Sequence, residues 1–293
     1  MVDSYTYTKI FLIIYSILFG LAIGSFINAG IYRFKNKIKI TGHSICTNCK
    51  QELKPLDLVP LFSYLFLKGK CRYCKAKISI QYPIVELVTA LIYLLLSIHM
   101  LTIYNQYSKF SSQLGPIFIY CLWLIIITGI LVFIAVYDFK FKIIPNEFII
   151  AGVIVTTLFI LIEFIFQLVY AEYGATKFAF TFFFDSPLNY ILAGVLGFGL
   201  LFLVVLATKG KGMGMGDVKY AFLMGLIIGF PSILLGLYIA VVIGAIFGIA
   251  LILIKRKRMK SEIPFGPFLV LGTFFMMLFS TQIIDFSKSL LGL

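Results

Sequence analysis

Charged residues are scarce in this sequence, and their scarcity excludes a soluble globular domain. Only 13% of the 293 residues are Asp, Glu, Lys or Arg, whereas hydrophobic residues make up 61%. A soluble domain carries about 25% charged residues. The chain therefore has too little polar surface to face water on all sides, and lipid must solvate much of it.

Histidine is almost absent, which removes several catalytic schemes. The two histidines, His43 and His99, lie far apart in the sequence. Neither a Ser-His-Asp nor a Cys-His arrangement is therefore expected. The HExxH motif of zinc proteases is missing, as is a glycine-rich loop of the dinucleotide-binding type.

Long apolar runs dominate what is present. A membrane-spanning helix needs about 20 apolar residues. Eight runs reach or approach that length: 10–32, 82–101, 117–137, 147–169, 189–207, 218–230, 232–254 and 265–284. The sixth is short and is separated from the seventh by Pro231, so a re-entrant hairpin is an alternative for it. We predict an all-α polytopic membrane protein with about eight transmembrane helices.

The basic residues fix the orientation of these helices. A net charge of +13 would suggest nucleic acid in a soluble protein, but membrane proteins place basic residues in cytoplasmic loops. With eight spans, all basic residues except Lys9, Lys109, Lys177 and Lys288 fall on one side. This asymmetry favours the sixth run as a full span, with both termini outside. We expect contacts with anionic lipid headgroups and no nucleic-acid partner.

The same topology divides the chain into three parts: a first transmembrane helix at 1–34, a cytoplasmic domain at 35–81 and a seven-helix membrane domain at 82–293. The domain at 35–81 is small, and a fold of that size usually needs a metal or disulfides for stability. Outside it, Cys121 lies alone in an apolar run and is expected to be a small buried residue.

Four cysteines in the cytoplasmic domain form two CxxC pairs, Cys46 with Cys49 and Cys71 with Cys74. Two such turns can complete a tetrahedral four-cysteine zinc site, which would be structural because no coordination position stays open. The alternatives are two disulfides or four unligated thiols. A reducing cytoplasm disfavours disulfides.

Two carboxylates remain after the others are assigned to loops, tails and helix starts. Asp138 in "YDFKFKIIPN" and Asp217 in "GMGDVK" both lie at cytoplasmic ends of apolar runs, hence at one membrane depth. Taken alone, Asp217 is well explained as a helix N-cap. Asp138 ends a helix, where the helix dipole disfavours negative charge, although Lys140 or Lys142 could pair with it.

The two aspartates together indicate acid–base chemistry, which neither indicates alone. Carboxylates brought close can share a proton and hold a water as acid and base, an arrangement that cleaves peptide bonds. Gly214 and Gly216 would let another backbone or an extended substrate approach. Lys219 could bias which carboxylate stays charged, or could contact a lipid phosphate.

These residues resemble the type IV prepilin peptidases, a family of GxGD-type aspartic peptidases. The resemblance rests on five stretches in order: "GSFINAGIYR" at 24–33, the four-cysteine loop, "YDFKFKIIPN" at 137–146 with Pro145, "GMGDVK" at 214–219 and "PFGPFL" at 264–269. It implies catalysis by Asp138 and Asp217. Pro264, Gly266 and Pro267 would shape the cytoplasmic mouth, or would only start the last helix.

The resemblance also implies a substrate and a location. Family substrates are prepilins or pseudopilins with a basic leader, a glycine before the cut and an apolar helix after it. Cleavage would occur at the cytoplasmic face of the bacterial inner membrane. Many members of the family also methylate the new N-terminus with S-adenosylmethionine, so this cofactor is expected by resemblance.

Three other functions stay open at this point. A presenilin-like GxGD intramembrane protease would share "YD" and "GMGD", but would carry a Pro-Ala-Leu motif that "PFGPFL" does not supply. An ion-coupled transporter would use Asp138 and Asp217 as ion ligands. A membrane scaffold would use the zinc domain to recruit a cytoplasmic partner.

Overall fold

The computed structural model describes residues 4–39, 42–107, 114–170, 186–210, 212–254 and 263–291. Its helices are α1 (Ser4–Lys35), α2 (Phe62–Phe66), α3 (Gln81–Tyr107), α4 (Leu114–Phe141), α5 (Asn146–Tyr170), α6 (Pro187–Ala207), α7 (Met215–Ile228), α8 (Ser232–Leu253) and α9 (Gly266–Leu291). A 3-10 turn covers Pro55–Asp57. The basic run Lys255–Lys260 and Glu262 lie outside the described residues.

The all-helical membrane architecture is confirmed. Six helices, α1, α3, α4, α5, α6 and α8, are long and apolar enough to cross a membrane. Helix α7 has 14 residues, which rise about 21 Å at 1.5 Å per residue, whereas the hydrocarbon core is about 30 Å thick. The apolar part of α9 covers only Gly266–Phe279, where its helical geometry breaks. Eight complete spans therefore stay a prediction.

Helix α7 ends early because its last turn is followed by a turn sequence. Gly229 has φ +66°, a conformation that glycine adopts without a steric penalty. Its N–H donates to the carbonyl oxygen of Gly225 at 2.8 Å, and Pro231 follows before α8 begins. The apolar run at 218–230 is thus a short helix and a sharp turn.

Contacts divide the chain into two compact units, Met1–Asn105 and Gln106–Leu293. In the first unit, α1 packs closely on α3. A Cβ on Gly20 would lie 2.6 Å from Ala90 Cα, and one on Gly24 would lie 2.7 Å from Glu86 Cα. Small residues permit such close helix packing in membranes. The sequence-based division at residues 34 and 81 stays a prediction.

In the second unit, α6 and α7 pack as antiparallel neighbours through small residues. A Cβ on Gly225 would lie 2.4 Å from backbone atoms of Ala193, and one on Gly197 would lie 2.8 Å from the Ala221 carbonyl oxygen. Helix α7 is buried along most of its length. It is therefore an internal helix of this unit, which fixes the position of whatever lies in its first turn.

Three helices of the second unit start at the end where α4 stops. Helices α5 and α7 run parallel, because Gly216 meets Ile144 near their starts and Gly152 meets Leu223 further along. Helix α9 starts beside the last turn of α4. The C-terminus of α4 and the N-termini of α5, α7 and α9 therefore meet at one end of the unit.

Candidate functional site

Asp138 is a buried carboxylate in the last turn of α4, with only 4% of its surface exposed. Its Oδ2 accepts a hydrogen bond from the backbone N–H of Gly266 at 3.0 Å. Gly266 is the first residue of α9, so this N–H has no acceptor within its own helix. The positive end of the α9 dipole favours a carboxylate here. It offsets the unfavourable C-terminal end of α4.

A side chain at Gly266 would crowd the Asp138 carboxyl group. A Cβ there would lie 2.7 Å from Asp138 Oδ2 and 3.1 Å from its carboxyl carbon. Pro264 precedes the helix and Pro267 is its second residue, and both are half-buried. The two prolines suit a helix start, where a missing N–H costs nothing. The "PFGPFL" segment thus starts α9 directly against Asp138.

Asp217 is a half-buried carboxylate in the first turn of α7. The expectation that it caps this helix is wrong in register: Gly214 is the N-cap, and Asp217 is the third helical residue. Its Oδ2 accepts the N–H of Gly214 at 3.3 Å, while its own N–H donates to the Gly214 carbonyl oxygen at 3.2 Å. This reciprocal pair fixes the carboxylate to the helix start.

The structure brings the two aspartates to the same end of the unit. Gly216, next to Asp217, packs against Ile144, which follows Asp138 by six residues. Backbone N–H groups at two helix starts hold the two carboxylates, which are contributed by different helices. One carboxylate is buried and the other is partly accessible, which is suitable for holding a water molecule between an acid and a base.

A buried hydrogen bond links the helices behind the aspartates. Tyr220, three residues past Asp217, and Thr273, seven past Gly266, join their hydroxyl oxygens at 2.9 Å. Thr273 donates to the Leu269 carbonyl oxygen at 2.8 Å, so Tyr220 is the donor of the first bond. This contact holds α7 against α9 and thereby fixes the distance between the two helix starts.

The two glycines before Asp217 have different surroundings. A Cβ on Gly216 would lie 3.2 Å from Ile144 Cβ, so this glycine permits close packing on the residue before Pro145. A Cβ on Gly214 would have Asp217 Oδ2 as its nearest neighbour, at 3.7 Å. Space for another chain is therefore present at Gly214 and is filled at Gly216. Pro145 itself is buried and precedes α5.

Lys219 contacts neither aspartate by a hydrogen bond; its Nζ donates to Asn146 Oδ1 at 3.0 Å. Asn146 is the first residue of α5, and sequence reasoning missed it. An asparagine directly after a proline and before an apolar run is a helix-start signal that could have revealed it. The pair joins the first turns of α5 and α7 at the exposed edge of the site.

The four cysteines of the first unit form one cluster. Their Sγ atoms all lie within 4.8 Å of one another, and Cys46 and Cys74 are 3.9 Å apart. Tetrahedral ligands at 2.3 Å from a zinc ion would be about 3.8 Å apart. No disulfide joins Cys46, Cys49, Cys71 and Cys74. The cluster could therefore hold a metal ion.

Two similar turns build this cluster. Cys46 N–H donates to the Gln51 carbonyl oxygen at 2.9 Å, and Cys71 N–H donates to that of Ala76 at 2.8 Å. The backbone N–H of Ala76 and the Asn48 side chain lower the pKa of the Cys74 thiol to about 6. A thiolate is the form that binds metals.

Cys121, expected to be buried, is half-buried in α4.

Glu86 attaches the cysteine loop to α3. Its Oε2 accepts the N–H of Leu61 at 2.8 Å, and the side chain is 6% exposed. Within the loop, Arg72 Nε and Asp57 Oδ1 form an ion pair at 2.6 Å. Glu86 is distant in sequence from Leu61, so its anchoring role becomes visible only in the structure.

Comparison with protein families gives two matches that cover both units. The model of the bacterial peptidase A24 N-terminal domain matches residues 18–100, and that of the type IV leader peptidase family matches residues 124–249. The first match contains the cysteine cluster, and the second contains both aspartates. No solved structure matches the chain.

Curated relatives match over nearly the full length. A prepilin leader peptidase/N-methyltransferase of Bacillus subtilis is 32% identical over 274 residues, which cover 92% of this chain and 95% of that protein. A protein of the same name from Pseudomonas aeruginosa is 26% identical, covering 92% and 90%. A type 4 prepilin-like proteins leader peptide-processing enzyme of Escherichia coli is 29% identical, covering 86% and 88%.

The contact between Asp138 and Gly266 makes a prediction about stability. Gly266→Ala places a methyl group against the buried carboxylate and should destabilise the second unit by about 1–3 kcal/mol. Gly214→Ala is the matched control, because its nearest neighbour would be at an ordinary contact distance, and it should cost under about 1 kcal/mol. Thermal unfolding of both variants in the same detergent measures the difference. Equal melting temperatures would contradict the steric argument.

Proposed function

The chain belongs to the type IV leader peptidase family, and from that premise we propose that Asp138 and Asp217 catalyse removal of the leader peptide from type IV prepilins or pseudopilins. One observation supports this assignment most directly. Two carboxylates from separate helices meet at one end of the second unit, each held by a backbone N–H at a helix start. Such a pair can act as acid and base on a peptide bond.

The proposed reaction is hydrolysis by a shared water. One ionised carboxylate takes a proton from the water as its oxygen attacks the scissile carbonyl carbon, while the protonated partner donates to the carbonyl oxygen. The carbon–nitrogen bond of this gem-diol then breaks, and the departing nitrogen receives the proton held by the first carboxyl group. One hydroxyl of the gem-diol returns its proton to the partner carboxylate, which restores the starting state of the pair. The products are a leader with a new carboxyl group and a mature chain with a new amino group.

We place this reaction at the cytoplasmic face, with both termini on the opposite side. The support is the distribution of basic residues, since lysines and arginines concentrate in cytoplasmic loops. The aspartate end of the second unit adjoins such loops, with Lys140 and Lys142 after Asp138 and Lys209 before Asp217. These loops would also hold the protein against anionic lipid headgroups.

Isosteric replacement of each aspartate tests the catalytic assignment. Asp138→Asn and Asp217→Asn should each lower the rate of leader release from a prepilin by at least about 100-fold, because each removes a proton-transferring group. The measurement is the appearance of the shortened product with purified protein in detergent.

Glu163→Gln is the matched control, because Glu163 is also a buried carboxyl residue of the second unit but lies outside the site. It should cleave at the rate of the unchanged protein. Near-normal cleavage by either aspartate variant would exclude the dyad. If the protein were instead an ion-coupled transporter, no form of it would release a leader. A presenilin-like protease would cut within an apolar helix rather than before it.

We propose further that the four-cysteine cluster holds a structural zinc ion. Cys46→Ser should lower zinc from about one ion per chain to near zero and should reduce the melting temperature, because the remaining ligands cannot complete a tetrahedral site. Metal content measured by mass spectrometry, together with thermal unfolding, checks this. Cys121→Ser is the control and should keep its zinc; equal loss from both variants would contradict the assignment.

The names of the Bacillus and Pseudomonas relatives support a second activity, N-methylation of the amino group freed by cleavage, with S-adenosylmethionine as the methyl donor. With methyl-labelled donor, label should appear in the mature product and not in the leader. Asp217→Asn should leave the substrate unlabelled, because the accepting amino group does not exist before cleavage. Complete cleavage without any label would refute the methyl transfer.

A further inference from the structure

An open groove of about 600 Å³ lies on the second unit, between α5, α6 and α7. Its wall is apolar and consists of Ile149, Ile150, Val195, Phe198 and Phe222. Two polar residues, Asn146 and Lys219, also line it and are hydrogen-bonded to each other. A mostly apolar cleft with a few polar groups is typical of a binding site.

The polar end of the groove lies at the same end of the second unit as the aspartates, and neither aspartate lines the groove itself. Lys219 follows Asp217 by two residues in the first turn of α7, and Asn146 starts α5 directly after Pro145. From this end the apolar wall extends into the membrane domain: nine residues separate Phe198 from Ala207 at the end of α6. Those nine residues correspond to about 14 Å of helix.

The groove exists because α5 and α6 both pack on α7. Gly152 of α5 approaches Leu223, and Gly194 and Gly197 of α6 approach the α7 backbone. Outside these contacts, the side chains of α5 and α6 that face the groove are exposed. Ile150 is 58% exposed and Val195 is 57% exposed. The short helix α7 thus forms the floor of a cleft whose two sides are α5 and α6.

We propose that this groove binds the apolar helix that follows the scissile bond of the substrate. The inference rests on the proposed function, because the apolar helix after the cut belongs to the prepilin substrate proposed above. A chain cleaved at Asp138 and Asp217 must continue from water into the membrane. The groove can provide that path, since its polar end lies at the same end of the unit as the aspartates and its apolar wall continues inward.

Asn146 and Lys219 suit the transition between these two environments. At the mouth of the groove the substrate backbone must be extended for cleavage, so its carbonyl groups lack helical partners. The Asn146 amide and the Lys219 ammonium can donate hydrogen bonds to such carbonyls. Beyond them, the wall offers only apolar contacts, which match a helix whose backbone is satisfied internally.

A bulky substitution in the groove tests the proposal. Val195→Trp should lower kcat/KM by about tenfold or more for a prepilin with its complete apolar helix, because the indole fills the space of the helix. Cleavage of a truncated prepilin that ends shortly after the cut should change by less than about twofold. Val241→Trp on α8 is the matched control, since Val241 is 52% exposed and does not line the groove. Equal rates for the two variants on the complete substrate would refute the groove.

Cross-linking gives a second, independent measurement. A benzoylphenylalanine at position 150, in the Asp217→Asn background, should cross-link to the apolar helix of the bound prepilin. The same probe at position 241 should not. Cross-linking at position 150 to lipid alone would refute the proposal, even if Val195→Trp failed to fold. Failure of the unchanged protein to release any leader would instead refute the proposed function, so the two failures are distinguishable.

Discussion

The arrangement of the second unit depends on one contact, the hydrogen bond from Gly266 N–H to Asp138 Oδ2. A carboxylate that ends α4 is unfavourable by itself, because the C-terminal end of a helix carries partial negative charge. The start of α9 supplies both a free N–H and a positive dipole end. The carboxylate of α4 thus gains a hydrogen-bond donor and a positive dipole end, and the N–H at the start of α9 gains an acceptor. A side chain at Gly266 would crowd the carboxyl group, so the absence of a Cβ there lets the two helix ends approach closely.

Helix α7 positions the second carboxylate, Asp217, relative to the contact between α4 and α9. It is buried between its neighbours through glycines and through the Tyr220–Thr273 hydrogen bond to α9. Asp217 is fixed to its first turn by Gly214. The two carboxylates are therefore held by helix ends, and the geometry of the proposed proton-sharing pair does not depend on a loop. The same buried position makes α7 the floor of the groove that leads away from the aspartates.

The first unit is organised by a different kind of interaction. Its loop is too small for a core of its own, and the two cysteine turns bring four sulfur atoms together instead. Glu86 then ties the loop to α3 through Leu61 N–H. A buried carboxylate has a structural role here, whereas Asp138 is buried at a proposed catalytic site. The difference lies in the contacts of each carboxylate: Glu86 accepts a hydrogen bond from the loop that it anchors, whereas Asp138 accepts one from the start of another membrane-domain helix.

The sequence by itself determined the all-helical membrane fold and the four-cysteine cluster, since apolar run length and cysteine spacing are local properties. The bounds of α5 and α8 agree with the predicted runs to within a residue, and both CxxC pairs meet in one cluster. Partners distant in sequence required the tertiary structure. Asp138 and Gly266 are 128 residues apart, and Lys219 bonds to Asn146 across 73. The sequence also placed Asp217 as the N-cap, whereas it is the third residue of α7, because the helix begins at Met215, before the apolar run. Which helix ends meet is decided by close packing between whole helices, a property that no single stretch of sequence contains.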